Sequence, residues 1–220
     1  MSGMGELRLY AIGIEEMRGI VGAGPLTGEL RQAAAQAFTP PQQPKSKGLI
    51  SKLGPMFRRP PDAPVLSPTD PEPRDVEVLL AGAYISPTRM GASWRVLETL
   101  VQYRSWGSTR LPLTSQSLDD LDFALARGGV AAAVGVGHLL RSSTNVRLIP
   151  VQGLTVGWHR YDKALAMAEA YRAAIHEIKT DEQRELVGSL VTWLDGFIPW
   201  SEVAARIGRP VPDLVGFWAN

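Results

Sequence analysis

The sequence predicts a single α+β domain over residues 1–220, mainly helical, with a small sheet that joins strands from the N- and C-terminal ends. Helical periodicity and helix start signals dominate after Asp75. Short apolar runs rich in β-forming residues stand at both ends, LRLYAI at 7–12 and PDLVGFWAN at 212–220. An apolar content of 45% and a charged content of 20% are typical of a soluble globular protein.

After the first predicted strand, at 7–12, the sequence predicts two short helices and then a proline-rich strap. Glycines close the first helix, at 14–24, and the second runs over 26–38. Residues 39–75 then hold ten of the 17 prolines, so regular helix or sheet cannot persist there. We expect this segment to be a strap or linker within the domain.

Start signals locate the helices of the remaining chain. Ser86-Pro87 provides a cap and a first-turn proline, Asp162 is a further cap, and Thr180 with Gln183 forms a capping box. The predicted helices run over 87–103, 118–129, 131–141, 163–178, 180–194 and 201–208, with an extended segment at 146–151 and a loop at 153–162.

The residue patterns of most catalytic sites are missing from the sequence. It has no cysteine, which excludes disulfides and thiolate chemistry. His138, His159 and His176 lack the spacing of zinc ligands. The glycine clusters do not fit the dinucleotide fingerprint, and neither a Walker sequence nor a nucleophile elbow is present. We therefore expect no metal, no cofactor and a non-enzymatic function.

The segment GWHRYD at 157–162 is the strongest candidate for a binding site. It concentrates Trp158, His159, Arg160 and Tyr161 between two elements, and tryptophan, tyrosine and arginine dominate binding hot spots. Trp200 is a further candidate, as either a core or an interface residue. The alternative is that the aromatic rings anchor the fold while the histidine and arginine are merely solvated.

The stretch 45–59 is basic and amphipathic. Five apolar residues fall on one helical face: Leu49, Ile50, Leu53, Met56 and Phe57. Gly54-Pro55 interrupts that face, so we expect it to pack against the protein's own helices rather than anchor a membrane. The alternative is an arm that binds an anionic surface, either nucleic acid or membrane.

From Leu118 onward, the order of segments resembles that of small bacterial proteins of the YfbM type. The likeness lies in HLLRSS at 138–143, GLTVGWHRY at 153–161 and KALAMAEAYRAAI at 163–175, followed by a long helix, a polar turn and a terminal apolar strand. The resemblance covers about half the chain. It implies a compact α+β fold and a binding role in toxin–immunity systems.

The leading hypothesis is a cytoplasmic interaction protein that is not an enzyme. It would act as an immunity-type inhibitor that blocks a partner protein, such as a toxin or secreted effector. One alternative is an enzyme or small-molecule binder with a pocket near His138, His159 and Arg160, and another is an anionic-surface binder that uses residues 45–59. The N-terminal sequence predicts no secretion signal, and a net charge of +1 gives no global drive towards nucleic acid, so any electrostatic binding must be local. We expect neither nucleic acid nor a membrane as partner.

Overall fold

The computed structural model describes residues 4–38, 67 and 69–220. In this part of the chain, four strands form one antiparallel sheet with nine α-helices around it. The strands are β1 (Met4–Ile12), β2 (Ser108–Thr114), β3 (Leu154–His159) and β4 (Asp213–Ala219). The helices are α1 (Ile14–Ile20), α2 (Thr27–Ala37), α3 (Pro73–Leu80), α4 (Met90–Arg104), α5 (Ser115–Arg127), α6 (Val136–Arg141), α7 (Tyr161–Ala174), α8 (Asp181–Leu194) and α9 (Phe197–Ile207). The predicted fold class, a mainly helical α+β domain, is confirmed.

The sheet ties the N- and C-terminal strands together, as the sequence predicts. Its strand order is β2-β1-β4-β3, and Leu7 of β1 lies opposite Trp218 of β4. Residues 214–218 of β4 are all buried. A strand that is covered on both faces reads as a continuous apolar run, which explains the composition of DLVGFWA.

Alternate residues of the strands enter two separate cores, one on each face of the sheet. Tyr10 and Phe217 pack with apolar side chains of α1–α4, whereas Leu7 and Leu214 pack with those of α5–α9. The protein is therefore a three-layer structure with the sheet in the middle. No helix in the described ranges is long and apolar enough to cross a lipid bilayer.

Only the end of the predicted strap lies in the described part of the chain. Helix α3 begins at Pro73, inside the predicted strap of 39–75, because proline suits the first turn of a helix. Glu72 and Asp75 form a reciprocal capping box there. The amphipathic stretch 45–59 lies outside the described residues.

Two strands differ from the sequence prediction. Strand β2 was not expected, because it contains Pro112 and few apolar residues, but it lies at an edge of the sheet, where proline is tolerated. The predicted loop at 153–162 is wrong: it contains β3 and the start of α7. The strand signal of β3 is weak because glycine is depleted in strands: Gly157 lies within β3 and Gly153 directly precedes it.

Candidate functional site

Helix α6 lies directly on β3 because this strand has a glycine at the crossing. A β-carbon built on Gly157 would lie only 1.9 Å from the carbonyl oxygen of Leu139. Its partner across the strands is Gly216, where an added β-carbon would lie 3.0 Å from the Leu139 side chain. These two opposed glycines leave room for the helix, and so bring α6 close to the end of β3.

This packing places two histidines side by side. The rings of His138 on α6 and His159 on β3 have centroids 5.3 Å apart and are tilted by 39°. His138 is half-buried, whereas His159 is only 3% exposed. The contact between the two rings cannot be inferred from the sequence, because the histidines are 21 residues apart. Both residues nevertheless belong to the alternative pocket predicted near His138, His159 and Arg160.

The carboxylate of Asp213 fixes where α7 begins. It accepts hydrogen bonds from the backbone N–H of Tyr161, at 3.1 Å, and from that of Ile14, at 2.9 Å, so it caps both α7 and α1. Burial raises the pKa of Asp213, and these two hydrogen bonds act in the opposite direction. The predicted cap, Asp162, is wrong: it lies within the first turn of α7, and its side chain is 72% exposed.

Lys163, also in the first turn of α7, extends the histidine pair. Its Nζ lies 3.5 Å from Nδ1 of His138, and because an ammonium group has no acceptor, the lysine donates. Lys163 is half-buried, and no carboxylate of the described residues lies within 4.0 Å of it. The ammonium group thus lacks a counter-ion in this part of the chain.

His159 offers a buried hydrogen-bond acceptor. Its Nδ1 is 2.9 Å from the backbone oxygen of Trp158, which can only accept, so Nδ1 carries the proton. Nε2 is then a lone-pair acceptor, and it is buried without a hydrogen-bond partner among the described residues. Burial, and then Lys163, lowers the pKa of His159 to about 4; His138 adds to this, and the Trp158 carbonyl opposes it.

A cleft of about 480 Å³ opens at this junction, and we call it the β3–α7 cleft. It is lined by Ser142, Trp158, His159, Arg160, Asp162, Lys163 and Ala166. The Arg160 side chain is 75% exposed, and its Nε lies 3.5 Å from the carboxylate of Asp162. The cleft therefore contains two cationic side chains, one acid and the neutral imidazole of His159.

Some of the predicted binding residues line the cleft, and the others pack against the core. Trp158, His159 and Arg160 line the cleft, but the indole N–H of Trp158 donates to the Ser143 carbonyl at 2.8 Å. Tyr161 is half-buried against the core. Trp200 packs in an aromatic cluster, with its ring centroid 5.8 Å from that of Trp193. The tyrosine and Trp200 thus anchor the fold.

Lys163 was not among the predicted binding residues, although its position in the sequence carries a signal. The N-terminal end of a helix carries partial positive charge and favours acidic side chains, so a lysine in the first turn is unfavourably placed. In the described part of the chain, no group of three or more histidine, aspartate or glutamate side chains could hold a metal ion.

These features define a three-layer α+β domain with a cationic, histidine-lined cleft at a strand–helix junction. Residues 4–219 match the family model described as "Domain of unknown function (DUF7691)", so the chain belongs to this family. No curated protein and no solved structure matches the chain. The resemblance to YfbM-type proteins stays a prediction, since the family match does not bear on it.

Proposed function

We propose that the protein binds a small ligand through an anionic group, a carboxylate or a phosphate, in the β3–α7 cleft. The observation that supports this most strongly is the half-buried Lys163 without a counter-ion. An ammonium group without a neighbouring carboxylate attracts an anion, and hydrogen bonds between charged groups are roughly twice as strong as those between neutral groups. His138 takes one of the three ammonium protons but brings no negative charge, so two donors remain for an anion.

Arg160 supplies a second cation to the same cleft. Its planar guanidinium group suits carboxylate and phosphate oxygens. The pair with Asp162 is largely exposed and contributes little stability, so an incoming anion can replace it at low cost. The cleft volume is also within the range of small-molecule sites, roughly 300–1,000 Å³.

The structure favours ligand binding over a reaction in which the Ser142 hydroxyl acts as a nucleophile. Ser142 donates its hydroxyl hydrogen to the backbone oxygen of His138, at 3.0 Å, rather than to an imidazole. A serine nucleophile needs a base within hydrogen-bond reach to accept its proton. This arrangement favours binding at the cleft over nucleophilic catalysis by Ser142.

The immunity-type interaction protein stays a second proposal, and the exposure of Arg160 favours it. In that case the carboxylate in the cleft would belong to a partner protein rather than to a small molecule. The packing of Tyr161 and Trp200 into the fold weighs against it, since these aromatic rings were expected to form part of the interface.

Calorimetric titration with inorganic phosphate and with acetate tests the small-ligand proposal. We expect saturable binding to the wild-type protein and its loss in Lys163→Met, which keeps much of the side-chain length without the charge. Lys179→Met is the matched control, because Lys179 is exposed and does not line the cleft. Equal binding by all three proteins, or no binding of either anion to the wild type, would contradict the proposal.

A separate experiment distinguishes an anion on a small ligand from a carboxylate on a partner protein. A partner protein requires that Lys163→Met and Arg160→Ala reduce capture of that partner while free anions do not bind the wild type. Binding of free anions that Lys163→Met abolishes assigns the cleft to a small ligand instead.

A further inference from the structure

We infer that the ligand carries a hydroxyl or N–H donor beside its anionic group, and that this donor bonds to Nε2 of His159 while the anion pairs with Lys163. The inference rests on the proposed function, because it places the donor relative to the bound anion. The chemical class is a hydroxy acid or a hydroxylated phosphate monoester.

The hydrogen bonding of His159 fixes what the ligand must offer. Its Nδ1–H is used by the Trp158 carbonyl, so Nε2 can act only as an acceptor. No group among the described residues fills this acceptor. A buried polar atom without a partner is costly, and a ligand that donates to it removes that cost.

The acceptor is available over the whole physiological pH range. Burial keeps the pKa of His159 near 4, so the ring stays neutral and Nε2 unprotonated above that pH. The other charged groups that line the cleft are Lys163, Arg160 and Asp162. Lys163 disfavours protonation of the imidazole, while the exposed Asp162 already pairs with Arg160.

Lys163 and His159, the two proposed recognition residues, both contact the side chain of His138. Lys163 contacts His138 through Nζ, and the His159 ring lies against the same imidazole. His159 lines the cleft, but its Nε2 has almost no accessible surface, so a donor on the bound molecule reaches Nε2 only by displacing the side chains that cover it. A ligand that bears the anion alone would pair with Lys163 but leave Nε2 without a partner.

Matched pairs of probes test the inference. Glycerol 3-phosphate and propyl phosphate share one anion but differ in their hydroxyls, and lactate and propionate differ likewise. We expect the hydroxylated member of at least one pair to bind the wild-type protein about tenfold more tightly, from the filling of one buried acceptor. His159→Asn should lose this preference, because asparagine can donate to the Trp158 carbonyl but has no acceptor at the place of Nε2. His159→Gln, which has an oxygen near that place, should retain part of it.

Two outcomes would overturn the inference while leaving the proposed function intact. One is equal affinity within both probe pairs, with all four compounds bound in a manner that depends on Lys163. The other is a nitrogen NMR spectrum of the wild-type protein in which Nε2 of His159 carries the proton, a readout that needs no variant to fold. Failure of all four probes to bind would instead contradict the proposed function itself.

Discussion

Gly157 lies so close to Leu139 that a β-carbon at position 157 would be 1.9 Å from the Leu139 carbonyl oxygen. This close approach holds α6 against β3, and it is also what sets His138 beside His159. The geometry of the cleft therefore depends on a residue that contributes no side chain to it.

Replacing that glycine should damage both stability and the site. We expect Gly157→Ala to lower the free energy of unfolding by about 2 kcal/mol or more, because α6 must shift to relieve the overlap with its backbone. Phosphate binding should weaken as well, since the shift moves His138 away from Lys163. Urea unfolding and calorimetry measure the two effects.

Gly19→Ala is the control for this substitution. Gly19 is inside α1, and no atom lies within 4 Å of the added β-carbon, so the change should stabilise the protein by about 0.5–1 kcal/mol. Equal unfolding free energies for Gly157→Ala and the wild type would show that α6 does not depend on the glycine.

Asp213 should contribute to stability through two helices at once. It accepts from the first backbone N–H of both α1 and α7, and the loss of one such cap costs about 1 kcal/mol. We therefore expect Asp213→Ala to cost about 2 kcal/mol in chemical denaturation. Asp162→Ala removes a nearby acid that caps neither helix and should change stability little. A similar loss from both substitutions would refute the double cap.

Stability should fall in mildly acidic solution because of His159. Its pKa drops from 6.5 to about 4 on folding, so between these values the unfolded chain binds a proton that the folded protein does not. The free energy of unfolding then decreases as the pH falls, by about 2 kcal/mol at most between pH 7 and pH 5. The effect is nearly absent above pH 7, where both states are neutral.

The pH effect is checked by urea unfolding at both pH values. His159→Asn cannot titrate in this range, so it should lose less stability than the wild type. Lys163→Met should also show a smaller loss, because Lys163 helps to depress the pKa of His159. Identical losses in all three proteins would mean that His159 titrates normally.

The sequence predicts strands β1 and β4 and most helices because their signals are local, whereas strands β2 and β3 were not predicted. Strand β4 carries a continuous apolar run, and Thr180 accepts a hydrogen bond from the backbone N–H of Gln183, which is the N-cap half of the predicted capping box. The Gln183 side chain accepts from the Thr180 hydroxyl instead of completing the box. Caps supplied from distant positions were missed: Asp213 is 52 residues from Tyr161. A distant carboxylate leaves no pattern beside the helix that it caps.

The candidate site was only partly predictable for the same reason. Trp158, His159 and Arg160 are adjacent in sequence and line one cleft, as proposed from their clustering. The approach of His138 depends on the crossing of α6 over β3, which the sequence shows only as two glycines. Lys163 is the first residue of the predicted helix 163–178, and its only sequence signal is that a cation in a first turn is unfavourably placed.

Anion binding at Lys163 is tested most directly by a proton–nitrogen NMR titration of the wild-type protein with inorganic phosphate. We predict saturable shifts of the backbone amides of residues 158–163 and of Ser142, with the amide of Lys179 unchanged. The same titration of Lys163→Met should leave all of these amides unshifted. Shifts that do not saturate, or that persist in Lys163→Met, would contradict the assignment of the β3–α7 cleft as an anion-binding site.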